Sequence, residues 1–241
     1  MTNDIKSLNS YTNTSKSNLY SLILILPMFI LYEFLGYINN YGSDVLIRNG
    51  ADVIFRNVFL LFGNFANLVY HFVLFLIILY VFYNSKYQLF NDKINLAYLF
   101  GMCLESILWS FFLVATLESI ALFFLASPIN NDILEQFYLS IGAGIWEEFI
   151  FRFFLINIII FVSKYLLNNS KFSSFIISIV LSSIVFSLFH YIGDYGDFFE
   201  WKSFLFRFSG GLFLSILYLL RGLGISVYTH IFYDFIVVAL I

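Results

Sequence analysis

Apolar residues along this chain gather into long runs separated by short polar clusters. The runs fall near residues 19–38, 65–83, 96–126, 137–163, 172–192, 203–220 and 224–241. Each is about 18 residues or longer, enough for a helix to cross a hydrocarbon core roughly 30 Å thick. Helices satisfy their own backbone hydrogen bonds where lipid offers none. The pattern therefore predicts an all-α, polytopic transmembrane bundle of seven spans, or eight if the long 96–126 stretch splits. Residues 1–18 read as a polar tail and 19–241 as one transmembrane domain, with no repeat or linker marking a second. The run from Leu19 to Ile38 is broken only by Pro27 and Glu33. It is too long for the core of a cleaved signal peptide and lacks a small-residue cleavage site, so it reads as an uncleaved first span.

Between the first two runs, Asp44, Arg48, Asp52 and Arg56 recur at four-residue steps. That spacing sets alternating charges on one stripe of a short helix, predicted to lie on the membrane surface. Orientation follows from the Lys and Arg bias of the short loops. A cytoplasmic N-terminus collects Lys6, Lys16, Lys86, Lys93, Lys164, Lys171 and Arg221 inside. Arg48, Arg56 and Lys202 stay outside, among the acidic Asp132, Glu135, Asp194, Asp197 and Glu200. A composition rich in Asn, Ile, Lys, Phe and Tyr adds the expectation of a bacterial cytoplasmic membrane.

Composition agrees with lipid as the main solvent: of 241 residues, 61% are hydrophobic and 11% charged, against roughly a quarter charged in soluble domains. The 12 Lys and Arg residues are scattered and the net charge is −3, so no basic stripe exists to follow a nucleic-acid backbone. Cys103 is the single cysteine, which rules out a disulfide or a paired-cysteine metal site within one chain. It reads as a small, buried, apolar residue.

A charged side chain at the bilayer centre costs at least about 2.5–3.5 kcal/mol. Glu147, Glu148, Arg152, His190, His230 and Asp234 nevertheless all fall on the last four spans. On a helix turning ~100° per residue, Glu148 and Arg152 are neighbours, while Glu147 points roughly 140° away from Arg152. One carboxylate is paired and the other left free, an asymmetry that suits a general base. Phe186 lies one turn before His190 and can pack beneath it. His230 and Asp234 share a face, to hydrogen-bond each other or aim together at a ligand. Each pattern also has a bland account: a structural ion pair, an interfacial histidine, and a polar pair gluing helices. Their concentration in the C-terminal 105 residues favours a site. His71 reads as interfacial, and Glu33, Glu105 and Glu118 either line the same cavity or hydrogen-bond between helices.

The three patterns, in this order on separate spans, resemble the CAAX-protease and bacteriocin-processing (CPBP) family. That family includes the type II CAAX prenyl endopeptidases and bacterial Abi proteins. Its pattern is two glutamates with an arginine four residues after the second, a phenylalanine four before a histidine, and a histidine four before an asparagine or aspartate. The similarity covers about 137–241. It implies an intramembrane endopeptidase in which Glu147, with His190, activates water, while His230 and Asp234 stabilise the oxyanion. Asp234 stands where many members have Asn, and an ionised carboxylate cannot donate to an oxyanion. Either its apolar site keeps it neutral, or it orients His230, or it ligates a metal. Glu147, His190, His230 and Asp234 would form a carboxylate and imidazole shell for Zn²⁺, though the resemblance implies a metal-independent mechanism. A site-two type zinc protease needs His-Glu-x-x-His, and no histidine here is followed by glutamate.

The expectation is thus a membrane peptidase acting on an apolar or lipidated peptide reached through the bilayer, with its cavity among the last four spans and no required cofactor. The competing accounts are a non-catalytic immunity or scaffold protein and a proton-coupled transporter. Oligomeric state is not legible in the chain.

Overall fold

Among the described residues, each predicted run holds a helix. The computed structural model describes residues 10–39, 47–85, 94–121, 133–193 and 196–240. Helix α1 spans Asn18–Asn39 with Pro27 inside it, and α2 covers Gly50–Asn57. A 3₁₀ stretch, Val58–Phe65, breaks at Gly63 (φ 55°) and leads into α3, Ala66–Asn84. Helix α4 is Leu96–Ala121, unbroken over the described part of the long stretch; residues 122–126 lie outside the described residues. Helix α5 runs over Ile133–Leu166. Then come α6, Lys171–Phe189, capped by the Ser170 side chain, α7, Trp201–Arg221, and α8, Leu223–Leu240.

Six helical stretches among the described residues are long and apolar enough to cross a membrane, and α8 supplies a shorter apolar helix, Leu223–Ala239. About seven spans result, and the protein is a multi-pass membrane protein. No strand occurs among the described residues. Large apolar side chains stand exposed along the outside, as Phe72, Phe75, Leu79 and Tyr80 do on α3, where lipid is their natural neighbour.

Helix α8 is the centre of the bundle. It packs against α1, α4, α5 and α7, and Ile225, Val227 and Ile231 are almost wholly buried. Because its neighbours are protein rather than lipid, it carries Ser226, Thr229 and His230 without exposing them to hydrocarbon.

The charged stripe before α3 departs from its expected place. Arg48 and Arg56 do pair with Asp52 at four-residue spacing, at 3.0 and 2.8 Å. The stripe faces inward, however: Asp52 is 0% exposed and also accepts from the hydroxyls of Tyr32 and Tyr70. Glu33 of α1 completes it by bridging Arg48 and Arg56. Two cations matched by two carboxylates can be buried where a lone charge could not. Glu105 has a comparable structural role, gripping Arg221 at 2.6 Å and accepting from Tyr11 and Trp109. Glu33 and Glu105 therefore join helices and do not line the cavity. His71 is exposed and Cys103 half-buried. Lys6, Asp44, Lys86, Lys93, Asp132, Asp194 and the side chain of Glu118 lie outside the described residues.

Candidate active site

The backbone of α5 widens as it reaches the paired glutamates, passing from α-helix at Ile133–Gly142 to π-helix over Ala143–Ile156. Each residue turns through a smaller angle there than in an α-helix. Ser182 of α6 donates to the Phe151 carbonyl within this stretch, at 2.7 Å. Such local departures from α geometry often accompany functional positions. Glu148 pairs with Arg152 as the spacing suggested, and Glu147 is left to the cavity. Both are buried and both approach His230.

Glu148 is 0% exposed and has three neighbours. Arg152 Nη1 lies 3.2 Å from its Oε1, His230 Nδ1 lies 2.9 Å from the same oxygen, and Ser226 Oγ donates to its Oε2 at 2.5 Å. The Arg152 guanidinium is also 0% exposed and makes no hydrogen bond of good geometry among the described residues. It is held by charge and by the Phe186 ring, whose centre is 4.2 Å from its central carbon. Phe186 thus packs against Arg152 as well as beneath His190, at a ring separation of 5.1 Å.

The two histidines are oriented from opposite sides. His190, at the C-cap of α6, has Nδ1 3.0 Å from the Phe186 carbonyl. A carbonyl only accepts, so Nδ1 carries the hydrogen and a neutral ring presents a bare Nε2. His230 donates from Nδ1 to Glu148 and turns Nε2 towards Glu147 and Asp234, 4.0 and 3.7 Å from Oε2 and Oδ2. Neither distance is a direct hydrogen bond. Gly144 permits the close packing of α8 on α5 that this needs. A Cβ there would sit 2.4 Å from Ile231 Cγ1, beside His230.

Glu147, Phe186, His190, His230 and Asp234 line a single cavity of about 230 Å³. Glu148 and Arg152 are not on its wall but buried behind it. All seven residues singled out in the sequence therefore meet in one place, drawn from α5, α6 and α8. Sequence spacing had not indicated Arg207, which lines the cavity and pairs with Asp197, nor Asn49, whose Nδ2 donates to Glu147 Oε1 at 3.1 Å. Ser226 had a legible signal, since it lies four residues before His230 on α8. Among the described residues no group of three or more His, Cys, Asp or Glu is placed to hold a metal ion. The four residues considered for Zn²⁺ share the cavity without converging as a shell.

Residues 128–236 match a family model, that of the Type II CAAX prenyl endopeptidase Rce1-like proteins. The matched stretch contains every one of the seven residues, and the family is the one their spacing resembles. Neither a curated protein nor a solved structure matches the chain.

Proposed function

We propose that this chain, with its match to the CAAX prenyl endopeptidases over residues 128–236, is an intramembrane endopeptidase. The observation that carries the proposal is the convergence of one glutamate, two histidines and an aspartate on a single cavity of about 230 Å³ between membrane helices. Glu147 is the general base. With Oε1 engaged by Asn49, its Oε2 takes a proton from a water that the bare Nε2 of His190 helps to orient. The water oxygen attacks the peptide carbonyl carbon. His230, with Nδ1–H anchored on Glu148, presents Nε2–H to the developing oxyanion. Collapse of the tetrahedral intermediate breaks the C–N bond, and the proton held by Glu147 passes to the leaving amine. Asp234, 3.7 Å from Nε2, orients His230; this role needs no donor from its carboxylate. Glu148 and Arg152 hold the arrangement from behind.

The mechanism uses no obligatory metal and no cofactor. The substrate is an apolar or lipidated peptide that enters from the bilayer, and the chain sits as one transmembrane unit with a cytoplasmic N-terminus in a bacterial cytoplasmic membrane. A quenched-fluorescent peptide library, half of it lipid-anchored, tests the proposal with purified protein in nanodiscs. Turnover is expected from the wild type and not from Glu147→Gln. Turnover that survives in Glu147→Gln would remove Glu147 from its role.

A further inference from the structure

The residue that holds the proposed base comes from outside the matched stretch. Asn49 ends the segment before α2, and its two side-chain ends perform different tasks. Its Oδ1 accepts from the backbone N–H of Ala51 at 2.9 Å, capping α2. That bond fixes which end of the amide is oxygen. Nδ2 is left as the end that donates to Glu147 Oε1, at 3.1 Å.

The rest of the segment is pinned so that this amide stays in place. The backbone N–H of Asn49 donates to the Tyr32 hydroxyl at 3.3 Å, which in turn donates to Asp52. Tyr138 of α5 donates to the carbonyl of Ile47 at 3.0 Å and stacks on Tyr32 with ring centres 4.8 Å apart. Asp52 is clamped between Arg48 and Arg56, and both arginines are tied to Glu33. The close approach of α5 depends on Gly142, where a Cβ would meet the Tyr32 ring at 2.5 Å and Asn49 Cβ at 2.9 Å. A network of four charges, with Asp52 buried at its centre and the other three half-buried, and two tyrosines thus surrounds one amide aimed at one carboxylate.

We propose that Asn49 is a positioning residue for the reaction. It fills one oxygen of Glu147, holds the carboxylate plane, and leaves Oε2 as the oxygen that takes the proton from water. The active site is then composite, with its base supplied by the matched C-terminal part and its alignment supplied by residues 47–57. This inference rests on the assignment of Glu147 as the base.

Two variants separate alignment from capping. Aspartate caps a helix as well as asparagine, and serine does so too, but aspartate cannot donate to Glu147 and serine cannot reach it. In full-length protein, Asn49→Asp and Asn49→Ser are expected to melt close to wild type with little change in KM. Their kcat is expected to fall by on the order of 10²-fold, the scale of a misplaced catalytic group. In Asn49→Asp, where two carboxylates face each other, the acidic limb of the rate–pH profile moves to higher pH. Wild-type kcat and an unmoved profile in both variants would reduce Asn49 to a helix cap and overturn the inference. A substrate-free arm reads the contact directly: the carboxylate stretch of Glu147, isolated as an infrared difference against Glu147→Gln, shifts in Asn49→Ser if the amide holds it. An unshifted band overturns the inference even if no peptide is cut. A wild type that cuts nothing while the band does shift overturns the peptidase assignment and leaves the contact standing.

Discussion

His230 Nδ1 lies 2.9 Å from Glu148 Oε1, the same oxygen that Arg152 Nη1 approaches at 3.2 Å. The second glutamate is therefore more than the partner of an arginine on its own helix. It is a fully buried anion shared between a cation on α5 and a histidine on α8, and it sets which nitrogen of His230 faces the cavity.

Removing that anion leaves Arg152 as a buried charge without a partner. Glu148→Gln is expected to lose about 3–5 kcal/mol of stability and all turnover. The double variant Glu148→Met with Arg152→Met should recover most of the stability, because it buries no unpaired charge, and none of the turnover. Thermal unfolding in detergent beside the peptide assay checks both. Equal instability in the single and double variants would contradict the pairing.

Ser226 gives a milder perturbation of the same oxygen pair. Its hydroxyl donates to Glu148 Oε2, and Ser226→Ala removes a hydrogen bond to a charged group worth roughly 1.5–3 kcal/mol. A lowered melting temperature is expected with partial activity, since Arg152 and His230 keep their own contacts with Glu148. Full loss of turnover in a well-folded Ser226→Ala would place the hydroxyl in the chemistry instead.

Gly144 tests how closely α8 must approach. Gly144→Ala places a Cβ 2.4 Å from Ile231 Cγ1 and 3.0 Å from the Val227 carbonyl. The Ile231 side chain can give way, but the Val227 carbonyl and the Ile231 nitrogen at 3.1 Å are backbone, so α8 must shift, carrying His230 with it. Overpacking of this kind typically costs about 1–3 kcal/mol, and kcat should fall more than KM rises. A variant with wild-type melting and kcat would show that the interface yields without moving the site.

Glu105 distinguishes structural from catalytic carboxylates. It binds Arg221, Tyr11 and Trp109 away from the cavity and is part-exposed. Glu105→Gln is expected to lower stability by about 1 kcal/mol, as for a partly solvated ion pair, and to leave kcat and KM near wild type. Loss of kcat at wild-type stability would draw Glu105 into the mechanism.

The spans were legible because lipid makes the demand so simple: a run of apolar residues long enough to cross. Glu147, His190, His230 and Asp234 were legible because ionisable groups inside such runs are costly and need a reason. What could not be read was how neighbours met across helices. Four-residue spacing paired Glu148 with Arg152, but nothing in it pointed to His230, which reaches the same oxygen from α8. Asn49 followed by Gly50 and Asp52 carries the signal of a helix start, yet its contact with Glu147 lies 98 residues away in the chain. Asp52 looked like part of a solvated stripe because Glu33 of α1, the carboxylate that balances the second of its two arginines, meets the stripe only in three dimensions.

The central claim is that Glu147 serves as the base in a metal-independent cleavage. Turnover of the peptide library by wild type and Glu147→Gln, each with and without a chelator, tests it most directly. The account predicts cleavage by the wild type that the chelator leaves intact and that Glu147→Gln abolishes while its melting temperature stays near wild type. Cleavage by Glu147→Gln, or a wild-type rate that the chelator removes and Zn²⁺ restores, would contradict it.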